Sequence, residues 1–111
     1  YKQVSGTAEA AQGDADKSVI AAPGANYRLA IQKAVITVTV VAASAGGEVA
    51  LEDGIGGTRF FEADADAVGV YAVDFGTPGY ILTANTRLNL TVDGSGGNQA
   101  TATCTATGVV I

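Results

Sequence analysis

The two-residue rhythm of the chain constrains its fold most. In residues 86–93, Leu88, Leu90 and Val92 alternate with Arg87, Asn89 and Thr91. In residues 100–107, Ala100, Ala102, Cys104 and Ala106 alternate with Thr101, Thr103, Thr105 and Thr107. Successive side chains of an extended strand point to opposite faces, so this period belongs to half-buried strands. Turn signals cut the chain at short intervals: Pro23-Gly24, Gly46-Gly47, Asp53-Gly54, Gly56-Gly57, Thr77-Pro78-Gly79 and Asp93-Gly94. No segment joins helical periodicity to capping residues over a useful length. Many short strands between turns predict an all-β fold, an antiparallel β-sandwich of about eight strands.

Two further features refine the pattern. In residues 27–41 the apolar set starts on odd positions (Tyr27, Leu29, Ile31) and continues on even ones (Ile36, Val38, Val40). A change of parity needs one extra residue, so a bulge or bend is expected near Gln32-Lys33. Elsewhere Val49 and Leu51 are expected inside with Glu48 and Glu52 outside. Tyr71, Val73 and Phe75 should share one face. Residues 1–10 have β character weakened by Gly6, Ala8, Ala10 and Ala11, and with the residues up to Gly13 they lead into a turn. Residues 1–13 read as an extended N-terminal arm ahead of a sandwich domain spanning residues 14–111.

Chain length fits one domain. Hydrophobic residues form 48% and charged residues 15% of it, a balance that excludes the disordered class. The net charge is −5, and Lys2, Lys17, Arg28, Lys33, Arg59 and Arg87 are scattered. Nucleic acids and anionic lipids bind through clustered cations, so neither is expected as a partner. The apolar run 34–45 is interrupted by hydroxyl residues and is too short for a membrane helix. No stretch resembles a signal peptide.

Reactive groups are sparse. The chain has no histidine and one cysteine, Cys104. Histidine-based nucleophilic triads are therefore excluded, as is an internal disulfide. Cys104 lies among alanines on an apolar strand face, where a thiol is inert. The chain is expected to be no enzyme and to hold no cofactor. The carboxylates Asp14 and Asp16, and Glu62, Asp64 and Asp66, recur at every second position and could offer oxygens to Ca²⁺. The glycine and distal glutamate of a calcium loop are missing, so solvated loops are the plainer reading. Gly54-Ile55-Gly56-Gly57 lacks the lysine and helix of a phosphate loop. Asn89-Leu90-Thr91 matches a glycosylation sequon but falls mid-strand, as a chance match would. Phe60 and Phe61 are adjacent, so on one strand they point to opposite faces, and one becomes a candidate subunit contact. The hydroxyls of Thr101, Thr103 and Thr105 form a second such candidate.

The run Ser18-Val19-Ile20-Ala21-Ala22-Pro23-Gly24-Ala25-Asn26-Tyr27-Arg28-Leu29 resembles a pattern of tailed-bacteriophage structural proteins. So does Gly79-Tyr80-Ile81-Leu82-Thr83-Ala84-Asn85-Thr86-Arg87-Leu88-Asn89-Leu90. In those small virion β-sandwiches a strand ends in Pro-Gly. A long strand and a Gly-rich hairpin follow, then a Leu-Thr-x-Asn-Thr-x-Leu segment. The resemblance spans most of residues 17–111. It implies a jelly-roll-like capsid decoration (cement) protein or a fibre module, assembled in the host cytoplasm and carried on the capsid exterior. It further implies the major capsid protein as partner and homo-oligomers, often trimers. Tyr1, Lys2, Gln3 and Val4, at a partly apolar chain end, are the expected capsid-facing residues. The alternative function is a carbohydrate-binding or host-adhesion module using the loops at residues 53–58 and 93–98.

Overall fold

The structure is a computed structural model and describes residues 2–40, 47–93 and 100–111. Among these residues there is no helix. The strands are β1 (Lys2–Ala11), β2 (Lys17–Ile20), β3 (Leu29–Val40), β4 (Glu48–Asp53), β5 (Arg59–Asp64), β6 (Gly69–Asp74), β7 (Tyr80–Ile81), β8 (Leu88–Asp93) and β9 (Ala100–Val110). One sheet, here sheet A, has the order β1-β9-β3-β6, with β7 also paired to β3. The other, sheet B, has the order β2-β8-β4-β5. Every pairing is antiparallel. The two sheets pack face to face as a sandwich over one core.

The alternation explains which side chains fill that core. Leu29, Ile31, Ile36 and Val38 of β3, Val49 and Leu51 of β4, and Leu88, Leu90 and Val92 of β8 are all buried. Ala100, Ala102, Cys104 and Ala106 of β9 join the same cluster. Tyr71, Val73 and Phe75 are half-buried against it. The parity switch in β3 is a register shift against β9 between Ile31 and Lys33, where the expected bulge falls. Gly108 makes this bulge possible from β9. A Cβ there would lie 2.3 Å from the Ala30 carbonyl oxygen, far inside contact distance. Tyr27, expected inside, precedes β3 and is 54% exposed in a turn closed by its N–H to the Gly24 carbonyl.

The N-terminal segment departs from expectation. Residues 2–11 are no detached arm. They form edge strand β1, paired with β9 from Lys2↔Val110 to Ala11↔Thr101 without a break. Ala10 is buried, and Val4 and Ala8 pack on the core. The small residues that weaken β1 as an isolated strand are what let it close the sandwich. A Cβ on Gly6 would fall 1.8 Å from the Val19 carbonyl oxygen of β2 in the opposite sheet.

Candidate interaction surface

The outer face of sheet A is built from rows of side chains lying across four strands. Antiparallel partners point to the same face, so the register gives the rows directly. Ser5, Thr107, Lys33 and Asp74 form one row. Thr7, Thr105, Val35 and Ala72 form the next, and Glu9, Thr103, Thr37 and Val70 a third. Ala11, Thr101 and Thr39 continue the pattern. Strand spacing and rise make this a patch on the order of 15 by 20 Å. Its charges are only Glu9, Lys33 and Asp74, and Lys33 stands directly opposite Asp74. Val35 is 43% and Val70 66% exposed. The hydroxyls bond to one another and to the rim: Thr7 Oγ1 lies 3.1 Å from Thr105 Oγ1, and Thr103 Oγ1 donates to Glu9 Oε2 at 3.5 Å. Thr101, Thr103 and Thr105 thus occupy one continuous face, and β1, β3 and β6 add residues that the reading of the last strand alone missed. The missing signal was the strand order, which periodicity does not carry.

The outer face of sheet B is of a different kind. Arg59 bridges three carboxylates, with Nη1 at 2.9 Å from Glu48 Oε1 and 2.6 Å from Asp93 Oδ2, and Nε 3.2 Å from Glu52 Oε2. Hydrogen bonding to Asp93 and attraction to these anions hold its guanidinium charged far above the ordinary range. The Glu48 carboxyl is pushed up by desolvation and by the nearby Glu62 charge, against the lowering pull of Arg59. Asn89 and Thr91, on the strand face opposite Leu88, Leu90 and Val92, are buried as well. Asn89 Nδ2 donates to the Ala15 carbonyl and to Glu52 Oε1, each at 2.9 Å, and Thr91 Oγ1 donates to the Asp14 carbonyl at 3.1 Å. The segment before β2 therefore roofs β8. A fully buried Asn89 is also closed to glycan attachment in the folded chain, which removes the sequon reading.

The aromatic pair differs from expectation as well. Phe60 and Phe61 both pack on the core. A register shift between Leu51 and Glu52 places a bulge in the β4–β5 pairing beside Phe60. That extra residue lets neighbours in sequence escape strict alternation. Phe60 stacks on Tyr80 with ring centroids 4.2 Å apart and meets Phe75 edge-on at 5.3 Å. The trio closes the sandwich edge opposite β1 and β2.

The remaining candidates resolve simply. Cys104 is fully buried, and burial pushes its thiol up to about 12. Asp14 Oδ2 accepts the Ala11 N–H at 2.9 Å, and Asp66 Oδ1 accepts the Gly47 N–H, so both carboxylates fasten turns. No group of three or more acidic or cysteine side chains among the described residues is placed to hold a metal ion. Lys2, Gln3 and Val4 begin β1. Lys2 and Val4 border a groove of about 570 Å³ with Ile20, Pro23 and Tyr27. A second groove of about 450 Å³ lies between Ser18, Ile55, Asn85 and Arg87. Tyr1 and residues 94–98 of the expected adhesion loop lie outside the described residues. In comparisons with protein-family models, curated proteins and solved structures, nothing matches the chain.

Proposed function

We propose that this chain is a non-enzymatic virion structural protein that binds the outside of a phage capsid and stabilises it. The observation that carries the reading is the outer face of sheet A: four strands wide, rich in hydroxyl and small apolar side chains, and without charge in its central row of Thr7, Thr105, Val35 and Ala72. Interface cores are depleted in charge in the same way. The strand order supports it at the level of fold. Setting aside the two-residue β7, β8 and β9 become the seventh and eighth strands. The sheets then read 1-8-3-6 and 2-7-4-5, a strand order that supports the jelly-roll reading. That architecture is used by viral capsid and lectin domains, and fold analogy of this kind supports a role without assigning one.

The partner is the major capsid protein, and the chain sits on the capsid exterior. One patch of this size makes a weak contact, and repetition over a lattice supplies the rest through avidity. Lys2, Gln3 and Val4 flank the patch at the start of β1 and extend the contact. The test is co-sedimentation with bare capsids of the phage that, on this reading, encodes the chain. Wild type should pellet with capsids and Thr105→Lys should stay in the supernatant. Equal pelleting of the two refutes the face assignment, and failure of both refutes the function.

A second reading, a carbohydrate-binding module, is favoured by Tyr27, an exposed residue that lines the first groove. Aromatic rings in shallow grooves stack on sugars. Glycan-array binding by wild type that Tyr27→Ala abolishes would establish it, and an empty array would dismiss it.

A further inference from the structure

We infer that two copies of this chain join through their β1 edges, antiparallel, fusing their A sheets into one. The inference stands apart from the capsid reading and rests on how the four sheet edges differ. Exposed edge strands are templates for pairing, and folded proteins blunt them with short strands, bulges, charge or proline. β2 has four residues and is bulged between Ser18 and Ile20. β5 is bulged and carries Arg59, Glu62 and Asp64. The β6 and β7 edge consists of six- and two-residue pieces separated by a turn containing Pro78. β1 has none of these devices. It runs ten residues in unbroken register without proline, and its only charges, Lys2 and Glu9, stand near its two ends.

The free groups on β1 can be assigned. Antiparallel ladders alternate residues that bond the neighbour with residues that point away. Gln12 donates its N–H to the Ala100 carbonyl, so even-numbered residues face β9. The Ala11 N–H turns the other way, to Asp14 Oδ2. Gln3, Ser5, Thr7 and Glu9 therefore aim backbone N–H and C=O groups off the edge. Among the described residues β1 has no ladder partner besides β9, so these groups carry no sheet pairing.

These four residues match themselves under a two-fold axis at Gly6. Gln3 then lies opposite Glu9 of the second copy, and Ser5 opposite Thr7, with all four bonded. Glu9 meets Gln3 and Lys2 meets Ala10, so no like charges face each other. A register moved by two residues leaves part of the set unpaired or calls on the Ala11 N–H already held by Asp14. A second copy is also the occupant that edge economy selects. Ring closure by head-to-tail contacts needs a second pairable edge, and among the described residues each copy offers one, so pairing is isologous and closes at two. This favours a dimer over the trimer expected from the family resemblance. The axis runs through the sheet, so both outer faces look the same way and the threonine patch doubles.

Sedimentation velocity of the full chain from micromolar to several hundred micromolar tests this. Wild type should approach twice the 11.0 kDa chain mass at the upper end. Thr7→Pro removes an outward N–H and no bond to β9, a place where edge strands tolerate proline. It should raise the dimer dissociation constant at least tenfold while leaving far-UV circular dichroism unchanged. Should that variant misfold, Ser5→Lys with Thr7→Lys keeps every N–H, sets lysine against lysine across the axis, and should give the same loss, eased by salt. Wild type that stays monomeric throughout, a three-chain mass, or a dimer that survives the folded variants overturns the inference. That includes the case in which capsid binding alone is lost in Thr7→Pro, which would give the β1 edge to a capsid segment.

Discussion

Gly6→Ala is the sharpest probe of how the sandwich closes. The added Cβ would lie 1.8 Å from the Val19 carbonyl oxygen and 2.9 Å from its carbonyl carbon. Both are backbone atoms, so no side-chain rotation relieves the clash. Reaching an ordinary contact of about 3.4 Å requires β1 and β2 to part by roughly 1.6 Å. Overpacking that forces backbone shifts of this kind costs about 1–3 kcal/mol. The rigid position argues for the upper half, and reduced freedom of the unfolded chain returns about 0.5 kcal/mol. A net loss of about 2 kcal/mol lowers Tm by roughly 8–10 °C in a domain of this size. Thermal denaturation followed by circular dichroism measures it, with Ser5→Ala, at an exposed neighbour, as a control that should stay within about 0.5 kcal/mol. If Gly6→Ala melts within 2 °C of wild type, β1 does not pack against β2 as described.

Two further substitutions and reagents probe sheet B and the core. Arg59→Met removes three carboxylate contacts and leaves the buried Glu52 with Asn89 as its remaining side-chain partner. Discounting for the partial exposure of Arg59, urea denaturation should show a loss of about 2–3 kcal/mol. Adding Glu52→Gln should recover part of it, and strict additivity of the two changes would contradict a coupled network. Cys104, with its thiol pushed up to about 12, should resist a disulfide reagent near pH 8 in the native protein. About one thiol in ten thousand is ionised there, and burial blocks access. The same reagent should react within minutes in denaturant, and rapid native labelling would refute the burial of β9's inner face.

Much of this fold was legible because the two-residue period is a local property. The β3 bulge could be placed from parity alone, since Ile31 and Ile36 cannot share a face without an extra residue. The burial of Cys104 followed from its alanine neighbours. What failed depended on neighbours distant in sequence. Gly6 looks unfavourable in an isolated strand and becomes suitable because the β2 backbone lies against it. Asn89 and Thr91 point outward as the alternation requires, and their burial comes from residues 14 and 15, far away in the chain. Phe60 and Phe61 both reach the core because a bulge in the β4–β5 pairing breaks an alternation that the pair, taken alone, appeared to enforce. Of the candidate surface, the threonines of β9 were visible in sequence. Their assembly with Thr7, Val35, Thr37 and Val70 needed the strand order.

The central claim is that the outer face of sheet A is the capsid contact. A cryo-electron microscopy reconstruction of capsids mixed with this chain tests it most directly. The account predicts added density on the capsid exterior, oriented with Thr105, Val35 and Val70 against the capsid surface and the Arg59 network of sheet B toward solvent. Bare capsids at saturating protein, or density that turns sheet B to the capsid, would contradict it.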